Sequence, residues 1–226
     1  MARSAIDPFE TDRRHLVDEV AEEFCRTQKW TGRSRPSAQV LNALLRVPRH
    51  KFVPADLAVS AYVNRPLAIG HGQTISQPYI VALMTDLLDL QGGETVLEIG
   101  TGSGYQAAVL AEIAGTVHSV EFVADLSHAA QAALARTGYR NIHFRIGDGR
   151  LGWPEGAPYP AIMVTAAAEA VPDSLVAQLA PGGRMILPIG KTNGPQNLIR
   201  LRRDESGRIA RDSILSVAFV PLVGGN

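Results

Sequence analysis

The segment Thr95–Gly104 constrains the fold more than any other part of this chain. It reads as a short apolar strand that ends at an acidic residue, Glu98, and runs into glycines at alternate positions, Gly100, Gly102 and Gly104, before an alanine-rich helical pattern begins. Because glycine has no Cβ, the chain can turn tightly there and bring backbone N–H groups near a ligand, and the next helix offers its N-terminus. The segment therefore predicts a strand, turn and helix that bind a nucleotide-like cofactor.

Two classes of cofactor fit this turn. Glu98-x-Gly100-Thr101-Gly102-x-Gly104 resembles the turn of class I S-adenosylmethionine methyltransferases, which implies that the glycines and Thr101 pass under the methionine part of the cofactor. Gly102-x-Gly104-x-x-Ala107 also fits the dinucleotide pattern, with an acidic residue about 20 positions on for the ribose. We favour S-adenosylmethionine because a carboxylate at Glu98 would repel a pyrophosphate but accept hydrogen bonds from a cationic amino-acid ligand.

The next two expected strands also finish with an acidic residue. Glu121 follows the second strand, where it is placed to hold both ribose hydroxyls, and Asp148 follows the third, where it is placed for the adenine amino group. Gly149, beside Asp148, is included in the same predicted site. A single carboxylate at a strand end often does no more than begin a turn. Three of them in order favour a cofactor site.

Charge and composition exclude several classes of function. Lys plus Arg equals Asp plus Glu at 22 each, so no basic face for nucleic acid or anionic membrane is expected. No apolar run approaches the roughly 18 residues of a membrane span, and the charged N-terminus has no signal-peptide pattern. Cys25 is the single cysteine, expected to be a buried thiol, and no metal-ligand spacing is present. These features predict a cytoplasmic protein without a metal. We also expect a monomer, although none of these features determines the oligomeric state.

The first 70 residues differ in pattern from the rest. Apolar residues at three- and four-residue steps predict a helix from Thr11 to about Trp30, and Ser37 is placed to cap a second helix that runs through Leu45. Residues 1–70 are therefore interpreted as an N-terminal helical cap on the substrate side, and residues 71–226 as the cofactor domain. Gly70–Pro78 is too polar for a strand and is predicted to be a loop.

After this loop, helical and strand patterns alternate. Strands separated by helices predict an α/β fold, with a doubly wound, mostly parallel, Rossmann-like sheet of about seven strands and the N-terminal helical cap. The expected helices are Tyr79–Leu90, a helix ending at Ala114, Ala124–Ala135 and Pro172–Leu179. The expected strands are Thr95–Ile99, Val117–Glu121, Ile142–Ile146, Ala161–Val164, Arg184–Pro188, Asn197–Arg203 and Ile214–Leu222.

Ser76 is the candidate for a hydroxyl at the reaction centre. A serine before Gln-Pro is more often a turn residue or helix cap, but this one lies in the polar loop just ahead of the cofactor domain. A hydrolase nucleophile is not supported, because Gly102-Ser103-Gly104 lacks the spacing of the nucleophile elbow. His71 lies between two glycines and is expected to line the site rather than act as a base.

Motifs outside the glycine turn carry a more specific resemblance. Several segments, in order from about Val40 to Leu222, are together similar to the protein-L-isoaspartate O-methyltransferase family. They are Val47-Pro48-Arg49-His50-x-Phe52-Val53-Pro54, Ile69–Tyr79, the glycine turn, Gly147-Asp148-Gly149, Val164-Thr165-Ala166-Ala167, Gly182-Gly183-Arg184 and Val217-x-Phe219-Val220-Pro221-Leu222.

The resemblance implies a reaction and a set of residues. The family transfers a methyl group from S-adenosylmethionine to the carboxylate of an L-isoaspartyl residue in a damaged protein, which starts its return to aspartate. Ser76 matches the residue taken as the active-site serine, and its hydroxyl would orient the carboxylate. An ionised carboxylate needs no strong base, so alignment with the methyl carbon can supply the catalysis. The resemblance places the substrate peptide against His71, Gln73, Thr74, Ile75, Val220, Pro221 and Leu222.

The sequence also departs from the family pattern and leaves alternatives open. Phe122 stands where arginine is common, Tyr159-Pro160 replaces an aromatic-Asp pair, and Lys29–Pro36 lacks an Arg-Gly-Ile run on the substrate side. One alternative is a relative that methylates an ordinary aspartate in a dedicated partner peptide. The others are a cofactor-binding module without catalysis and an NAD-dependent oxidoreductase.

Overall fold

The structure is a computed structural model that describes residues 7–191 and 194–225. Within these ranges the helices are α1 Glu10–Thr31, α2 Ala38–Arg46, α3 Pro78–Leu87, α4 Tyr105–Ala111, α5 Ala124–Arg136 and α6 Asp173–Gln178. The strands are β1 Leu67–Gly70, β2 Gln73–Ile75, β3 Thr95–Ile99, β4 Thr116–Glu121, β5 Ile142–Ile146, β6 Tyr159–Val164, β7 Leu179–Gly190, β8 Gln196–Arg203 and β9 Ile209–Val217.

Seven of the strands form one twisted sheet in the order β5-β4-β3-β6-β7-β8-β9. The strands from β5 to β7 are parallel to their neighbours, and β8 and β9 are added antiparallel. The chain runs outward from β3 to β5 on one side and from β6 onward on the other, so the order reverses between β3 and β6. Ligands of doubly wound sheets bind at the carboxyl edge of such a reversal. The predicted fold class is confirmed.

Burial explains why the central strands could be recognised. Val96, Leu97 and Ile99 of β3 are fully buried, because a parallel strand is covered on both faces and reads as a continuous apolar run. Helix α3 begins with Pro78, which has the fixed φ that suits a first helical position, and it contacts α1, α2 and α4. Leu83 of α3 belongs to the same hydrophobic cluster as Val96 of β3, so this helical layer shares the core of the sheet.

The N-terminal helices do not have a core of their own. Leu16, Val20 and Phe24 of α1 belong to the same hydrophobic cluster as Val96 of β3 and Met163 of β6. Ser37 caps α2 as expected, its hydroxyl accepting the N–H of Val40 at 3.4 Å. The expected boundary between residues 70 and 71 would divide the β1–β2 hairpin between two units. That boundary stays a prediction.

Two elements of the site differ from expectation. Gly70–Pro78 is not a simple loop, because Gln73–Ile75 forms β2 and pairs with β1. Its polarity is compatible with a strand because this short hairpin lies outside the main sheet and has no two-sided burial. The last strand, β9, begins at Ile209 and ends at Val217, so the following residues to Leu222 leave the sheet.

Several other boundaries also shift. Helix α3 ends at Leu87 and α4 at Ala111, both earlier than expected, and α6 gives way at Leu179 to a longer β7.

Cys25 is exposed rather than buried, since it lies beside Phe24 on the solvent side of α1. In the part of the chain that the structure describes, no helix combines the length and apolar character of a membrane span, and no three metal-binding side chains cluster.

Candidate active site

A cavity lies at the carboxyl edge of the sheet, where β3, β4 and β6 end. The β1–β2 hairpin covers one side of it and the segment after β9 covers another. The lining residues are Gln73–Ser76, Val81, Ile99–Ser103, Tyr105, Gln106, Val120–Phe122, Gly149, Thr165, Ala166 and Val220–Val223. The cavity therefore brings together both parts of the expected site, the glycine turn and the segments assigned to substrate.

The glycine turn has the backbone conformation that its sequence requires. Gly100, Gly102 and Gly104 have φ of 94°, 52° and 86°, in the left-handed region that other residues rarely adopt. A Cβ on Gly100 would lie 2.4 Å from Oγ1 of Thr165. The Thr165 hydroxyl lies 3.0 Å from the carbonyl oxygen of Ile99 and 2.7 Å from that of Gly100, and its single proton can be donated to either. Thr165 thus holds the start of the turn, a role that the sequence analysis did not assign.

Glu121 connects the glycine turn to the end of β4. One carboxylate oxygen accepts the N–H of Gly102 at 2.8 Å, and the other accepts that of Val123 at 3.0 Å. Among the described residues that line the cavity, Glu121 is the only charged side chain. Each oxygen keeps a second lone pair, so the carboxylate can still accept hydrogen bonds from ligand hydroxyls.

Glu98 lies beneath the turn and not on the cavity surface. Its side chain is fully buried, and the Ser119 hydroxyl donates to Oε2 at 2.5 Å while contacting the Thr101 hydroxyl at 2.6 Å. Oε1 has no hydrogen-bond partner among the described residues. Burial raises the pKa of Glu98 to about 8, with the Ser119 hydrogen bond opposing the shift and the charge of Glu121 adding to it.

The burial of Glu98 bears on the preference for S-adenosylmethionine over a dinucleotide, which assumed a charged carboxylate. With a pKa near 8, Glu98 is mostly neutral at pH 7 and would not repel a pyrophosphate strongly. The charge at Glu98 therefore does not distinguish the two cofactors. The hydrogen bonds that link Thr101 through Ser119 to Glu98 were not predicted from the sequence, although Ser119 lies directly opposite Glu98 in the β3–β4 register. A contact between Glu98 and the cofactor stays a prediction.

The Asp148 carboxylate accepts hydrogen bonds from a neighbouring arginine. The Arg150 side chain donates to the carboxylate from Nε at 3.0 Å and from Nη2 at 2.6 Å, and the Arg150 N–H adds a bond of 2.9 Å. These bonds lower the pKa of Asp148. Asp148 itself lies outside the cavity lining, whereas Gly149 lines it. The contact of Asp148 with adenine also stays a prediction.

Ser76 lies where the cavity meets a second depression. This groove is lined by Pro66, Thr74, Ser76, Gln77, Ile80, Thr165 and Ser216–Val220. Thr74, Ser76, Thr165 and Val220 line both spaces. A molecule in the groove and another in the cavity would therefore meet at the Ser76 side of the hairpin.

The hairpin brings some expected substrate residues to the site and leaves one outside. Gln73, Thr74 and Ile75 line the cavity. His71 is at the tip with φ of 51°, is 45% exposed, and points Nε2 towards Asp125 at 3.9 Å. It is not among the lining residues, so the structure does not bring His71 to the cavity.

The segment Val220–Leu222 reaches the cavity through backbone pairing. Ala167 N–H donates to the Val220 carbonyl and Leu222 N–H donates to the Ala167 carbonyl, each at 2.8 Å. Gln196, a buried side chain on β8, holds the residue before this segment: its amide donates to the Phe219 carbonyl at 3.1 Å and accepts the Phe219 N–H at 2.7 Å. No pattern in the sequence indicated this role for Gln196.

A buried arginine also lies behind Ser76. Arg49 has no exposed surface, and its guanidinium donates to the carbonyl of Ser76 at 2.8 Å. Burial lowers the pKa of Arg49 to about 10, which leaves it charged at neutral pH. Arg49 stands inside the Val47–Pro54 motif, but nothing in the sequence indicated what it contacts.

Comparison with known proteins agrees with these observations. A model of the protein-L-isoaspartate(D-aspartate) O-methyltransferase family matches residues 22–226. The chain is 51% identical over 223 residues to protein-L-isoaspartate O-methyltransferase 2 of Syntrophobacter fumaroxidans, covering 99% of this chain and 90% of the relative. It is 54% identical over 196 residues to protein-L-isoaspartate O-methyltransferase 1 of Nitrosospira multiformis, covering 87% and 83%.

Solved structures show the same likeness. A protein-L-isoaspartate O-methyltransferase superposes with a TM-score of 0.80 at 30% identity, covering 95% of this chain and 66% of that one. A Plasmodium falciparum protein described as a beta-aspartate methyltransferase, in complex with S-adenosyl-L-homocysteine, superposes with a TM-score of 0.79 over 97% of this chain and 100% of that one. At 24% identity the second shows the fold alone. By its sequence and its fold, the chain belongs to the protein-L-isoaspartate O-methyltransferase family.

Proposed function

We propose that the cavity holds S-adenosylmethionine, that the adjoining groove holds the isoaspartyl segment of a damaged protein, and that Ser76 lies between the two. Members of this family use S-adenosylmethionine to methylate L-isoaspartyl residues and so begin protein repair. The observation that carries the assignment of sites is that Ser76 and three neighbours line both spaces. Methyl transfer requires the donor and the acceptor to meet at such a junction.

The cavity suits a cofactor of this class. Gly100, Gly102 and Gly104 keep the turn free of side chains, and Gly149 does the same opposite Ile99, where a Cβ would lie 2.4 Å from Cγ2. Glu121 provides acceptors for the ribose hydroxyls, and Thr101 contributes to the cavity wall. S-adenosylmethionine, when bound, supplies a methyl group on a positively charged sulfur. The Plasmodium falciparum protein of the same fold is in complex with the demethylated form of this cofactor.

The groups around Ser76 support catalysis by orientation. A free carboxylate with an ordinary pKa near 4 is ionised at neutral pH, so it needs no base to become a nucleophile. No histidine is found among the described residues that line the cavity or the groove. The Ser76 hydroxyl can donate one hydrogen bond to a carboxylate oxygen and leave the other oxygen free to react. This arrangement restricts rotation of the carboxylate and keeps it aligned for transfer.

The substrate residues are proposed from the family resemblance, and of them Thr74 and Val220 line both the cavity and the groove. Gln73, Thr74 and Ile75 on one side and Val220, Pro221 and Leu222 on the other would contact the peptide backbone, as the family resemblance implies. His71 would contact only the flanking residues of a protein substrate, because it lies at the exposed tip of the hairpin. Residues 1–70 would form the substrate-side cap and residues 71–226 the cofactor domain.

We also propose that the enzyme acts as a monomer in the cytoplasm, with no nucleic-acid or membrane partner. The equal numbers of acidic and basic residues support the absence of a nucleic-acid or membrane partner, and the single cysteine, which is free, supports the cytoplasm. Light scattering coupled to size-exclusion chromatography should give the mass of one chain, and a mass of two chains would contradict the monomer.

The activity is tested with a matched pair of peptides that differ only in one L-isoaspartyl or L-aspartyl residue. Labelled methyl from S-adenosylmethionine should appear on the isoaspartyl peptide alone and be lost slowly as the ester cyclises to a succinimide. Label on the aspartyl peptide would favour an enzyme of ordinary aspartates. No label on either peptide, with S-adenosylhomocysteine still bound, would favour a dedicated partner peptide or a protein without catalysis.

The role of Ser76 is tested by Ser76→Ala. The substitution should lower kcat by about 10- to 100-fold, because one orienting hydrogen bond is lost, while the affinity for S-adenosylhomocysteine stays within about threefold. Ser206→Ala, in the exposed turn between β8 and β9, is the control and should change neither value. Loss of cofactor binding in Ser76→Ala would contradict the proposed role.

A further inference from the structure

Arg49 carries a charged guanidinium that is fully buried. It begins a short 3-10 turn, Arg49–Phe52, and has no exposed surface. It takes part in none of the ion pairs found among the described residues. Removing an unpaired guanidinium from water costs several kcal/mol unless hydrogen bonds replace the lost hydration. The hydrogen bonds that replace this hydration therefore show which parts of the chain Arg49 holds in place.

Arg49 joins three separate segments of the chain. Its Nε donates to the carbonyl of Ala61 at 2.8 Å. Its Nη2 donates to the carbonyl of Ser76 at 2.8 Å and, more weakly, to that of Arg65 at 3.4 Å. Ala61 and Arg65 belong to the stretch that leads into the hairpin, and Ser76 ends the hairpin. The guanidinium thus fixes both ends of the element that covers the cavity.

The same guanidinium also contacts the cofactor side of the site. Its Cζ lies 4.7 Å from the centre of the Tyr105 ring, a cation–π distance. Tyr105 is fully buried, opens α4 directly after the glycine turn, and lines the cavity. Arg49 therefore connects the hairpin that carries Ser76 to the helix that follows the glycine turn.

We propose that Arg49 is a positioning residue for methyl transfer, which holds the Ser76 carbonyl and so fixes the Ser76 hydroxyl at the junction of cavity and groove. The Ser76–Gln77 peptide is planar, so a bond to its carbonyl sets the orientation of the whole peptide unit and of the backbone that carries the hydroxyl. The inference rests on the proposed role of Ser76. Arg49 itself lines neither the cavity nor the groove.

The geometry requires arginine rather than any cation. The planar guanidinium donates in several fixed directions at once and stacks on a ring, whereas a lysine ammonium is a point charge on a flexible stem. Lysine at this position would keep the charge and most of the volume but could not hold Ala61, Ser76 and the Tyr105 ring together. Arg49→Lys therefore separates positioning from charge.

The test measures kcat, the KM for an isoaspartyl peptide and the affinity for S-adenosylhomocysteine in Arg49→Lys and Arg49→Gln. All assays are run at a temperature where each variant is folded. We expect kcat to fall at least about tenfold in both, with affinity for S-adenosylhomocysteine within about threefold, since small displacements at a reaction centre have effects of this size. Val20→Ala, which opens a buried site in α1 away from Ser76, is the control for lost stability and should keep kcat within about twofold.

A double substitution identifies the path of the effect. In a Ser76→Ala background, Arg49→Lys should lower kcat little further, because its effect passes through Ser76. The inference would be overturned if the decreases in kcat of the two single variants multiply in the double variant. It would also be overturned if the kcat of Arg49→Lys is within about twofold of the unsubstituted enzyme. A full kcat in Ser76→Ala would instead refute the role of Ser76, so the two failures are distinguishable. Hydrogen exchange gives a second readout: exchange should accelerate at Gln73–Gln77 in Arg49→Lys, and unchanged exchange there would also overturn the inference.

Discussion

Gly147 and Gly149 flank the same aspartate but face different surroundings. A Cβ on Gly149 would lie 2.4 Å from Cγ2 of Ile99, whereas the nearest atom to a Cβ on Gly147 is Cγ of Arg145, 4.0 Å away. Gly149→Ala should therefore cost about 1–3 kcal/mol in the free energy of unfolding, by overpacking, and weaken binding of S-adenosylhomocysteine. Gly147→Ala is the matched control and should do neither. Chemical denaturation and calorimetric titration would measure both, and equal behaviour of the two variants would refute the packing argument.

The buried carboxyl of Glu98 should make stability depend on pH. Its pKa is about 8 in the folded protein against an ordinary 4.5, so between these values the folded protein holds a proton that the unfolded chain has lost. The contribution of this group to stability is fully present below about pH 4.5 and is lost as the pH rises to about 8. Glu98→Gln carries no such proton and should flatten this part of the profile.

The measurement compares the free energies of unfolding of the two proteins at several values between about pH 5 and pH 8.5. The difference between them isolates Glu98 from the other titratable groups, which are the same in both proteins. Glu98→Gln should gain relative stability as the pH rises. A difference that is constant across the range would show that Glu98 is not protonated in the folded state.

Single residues varied in how far they could be predicted from the sequence. Ser76, Glu121, Gly100 and Gly102 line the cavity, and Gly104 ends the turn. Their positions could be predicted because local chain geometry sets them. Glu98 was predicted to contact the cofactor, and that contact stays a prediction; the sequence did not indicate that the side chain is buried in a strand covered on both faces. The contacts of Arg49 could not be predicted, since they depend on carbonyl groups up to 27 positions away.

At the scale of elements, the segment after β9 depends on one side chain of β8. Gln196→Ala removes both bonds that hold Phe219, which should cost about 1–3 kcal/mol of stability and raise the KM for the isoaspartyl peptide, because Val220–Leu222 loses its anchor. Asn197→Ala, the exposed neighbour on the same strand, is the control and should change stability by less than about 0.5 kcal/mol. An unchanged KM in Gln196→Ala would contradict a substrate role for this segment.

The elements that were misread share a physical cause. Strand β3 has the expected bounds, because burial on both faces imposes a continuous apolar pattern on a central strand. Strand β5, at the edge of the sheet, also has the expected bounds. The β1–β2 hairpin has no such burial on both faces, so its polar residues indicated a loop. Strand β9 was expected to include Val220–Leu222, since an apolar run does not show where pairing with β8 stops. That segment pairs instead with Ala167, which lies in a distant part of the chain.

For the whole molecule, the shared core predicts one cooperative unfolding transition. Leu16 in α1 and Leu198 in β8 lie in the cap and in the far part of the sheet, and both are buried in the same hydrophobic cluster. Leu16→Ala and Leu198→Ala should each lower the free energy of unfolding by about 2–5 kcal/mol and shift the same single transition. Calorimetry would check whether the calorimetric and van't Hoff enthalpies agree. Two separate transitions, each moved by one variant, would instead support independent units on either side of residue 70.

The sequence by itself determined the fold class, the glycine turn, the cofactor class implied by family resemblance and the candidate serine. These are carried by local signals, namely apolar runs, glycines that need a left-handed backbone, and motifs in a fixed order. Only the tertiary structure decided that Ser76 lies at the junction of two spaces, that Glu98 is buried beneath the turn, and that Arg49 and Gln196 hold the walls of the site. The reason is that these contacts join segments far apart in the chain, and packing selects them while leaving no periodic pattern in the sequence.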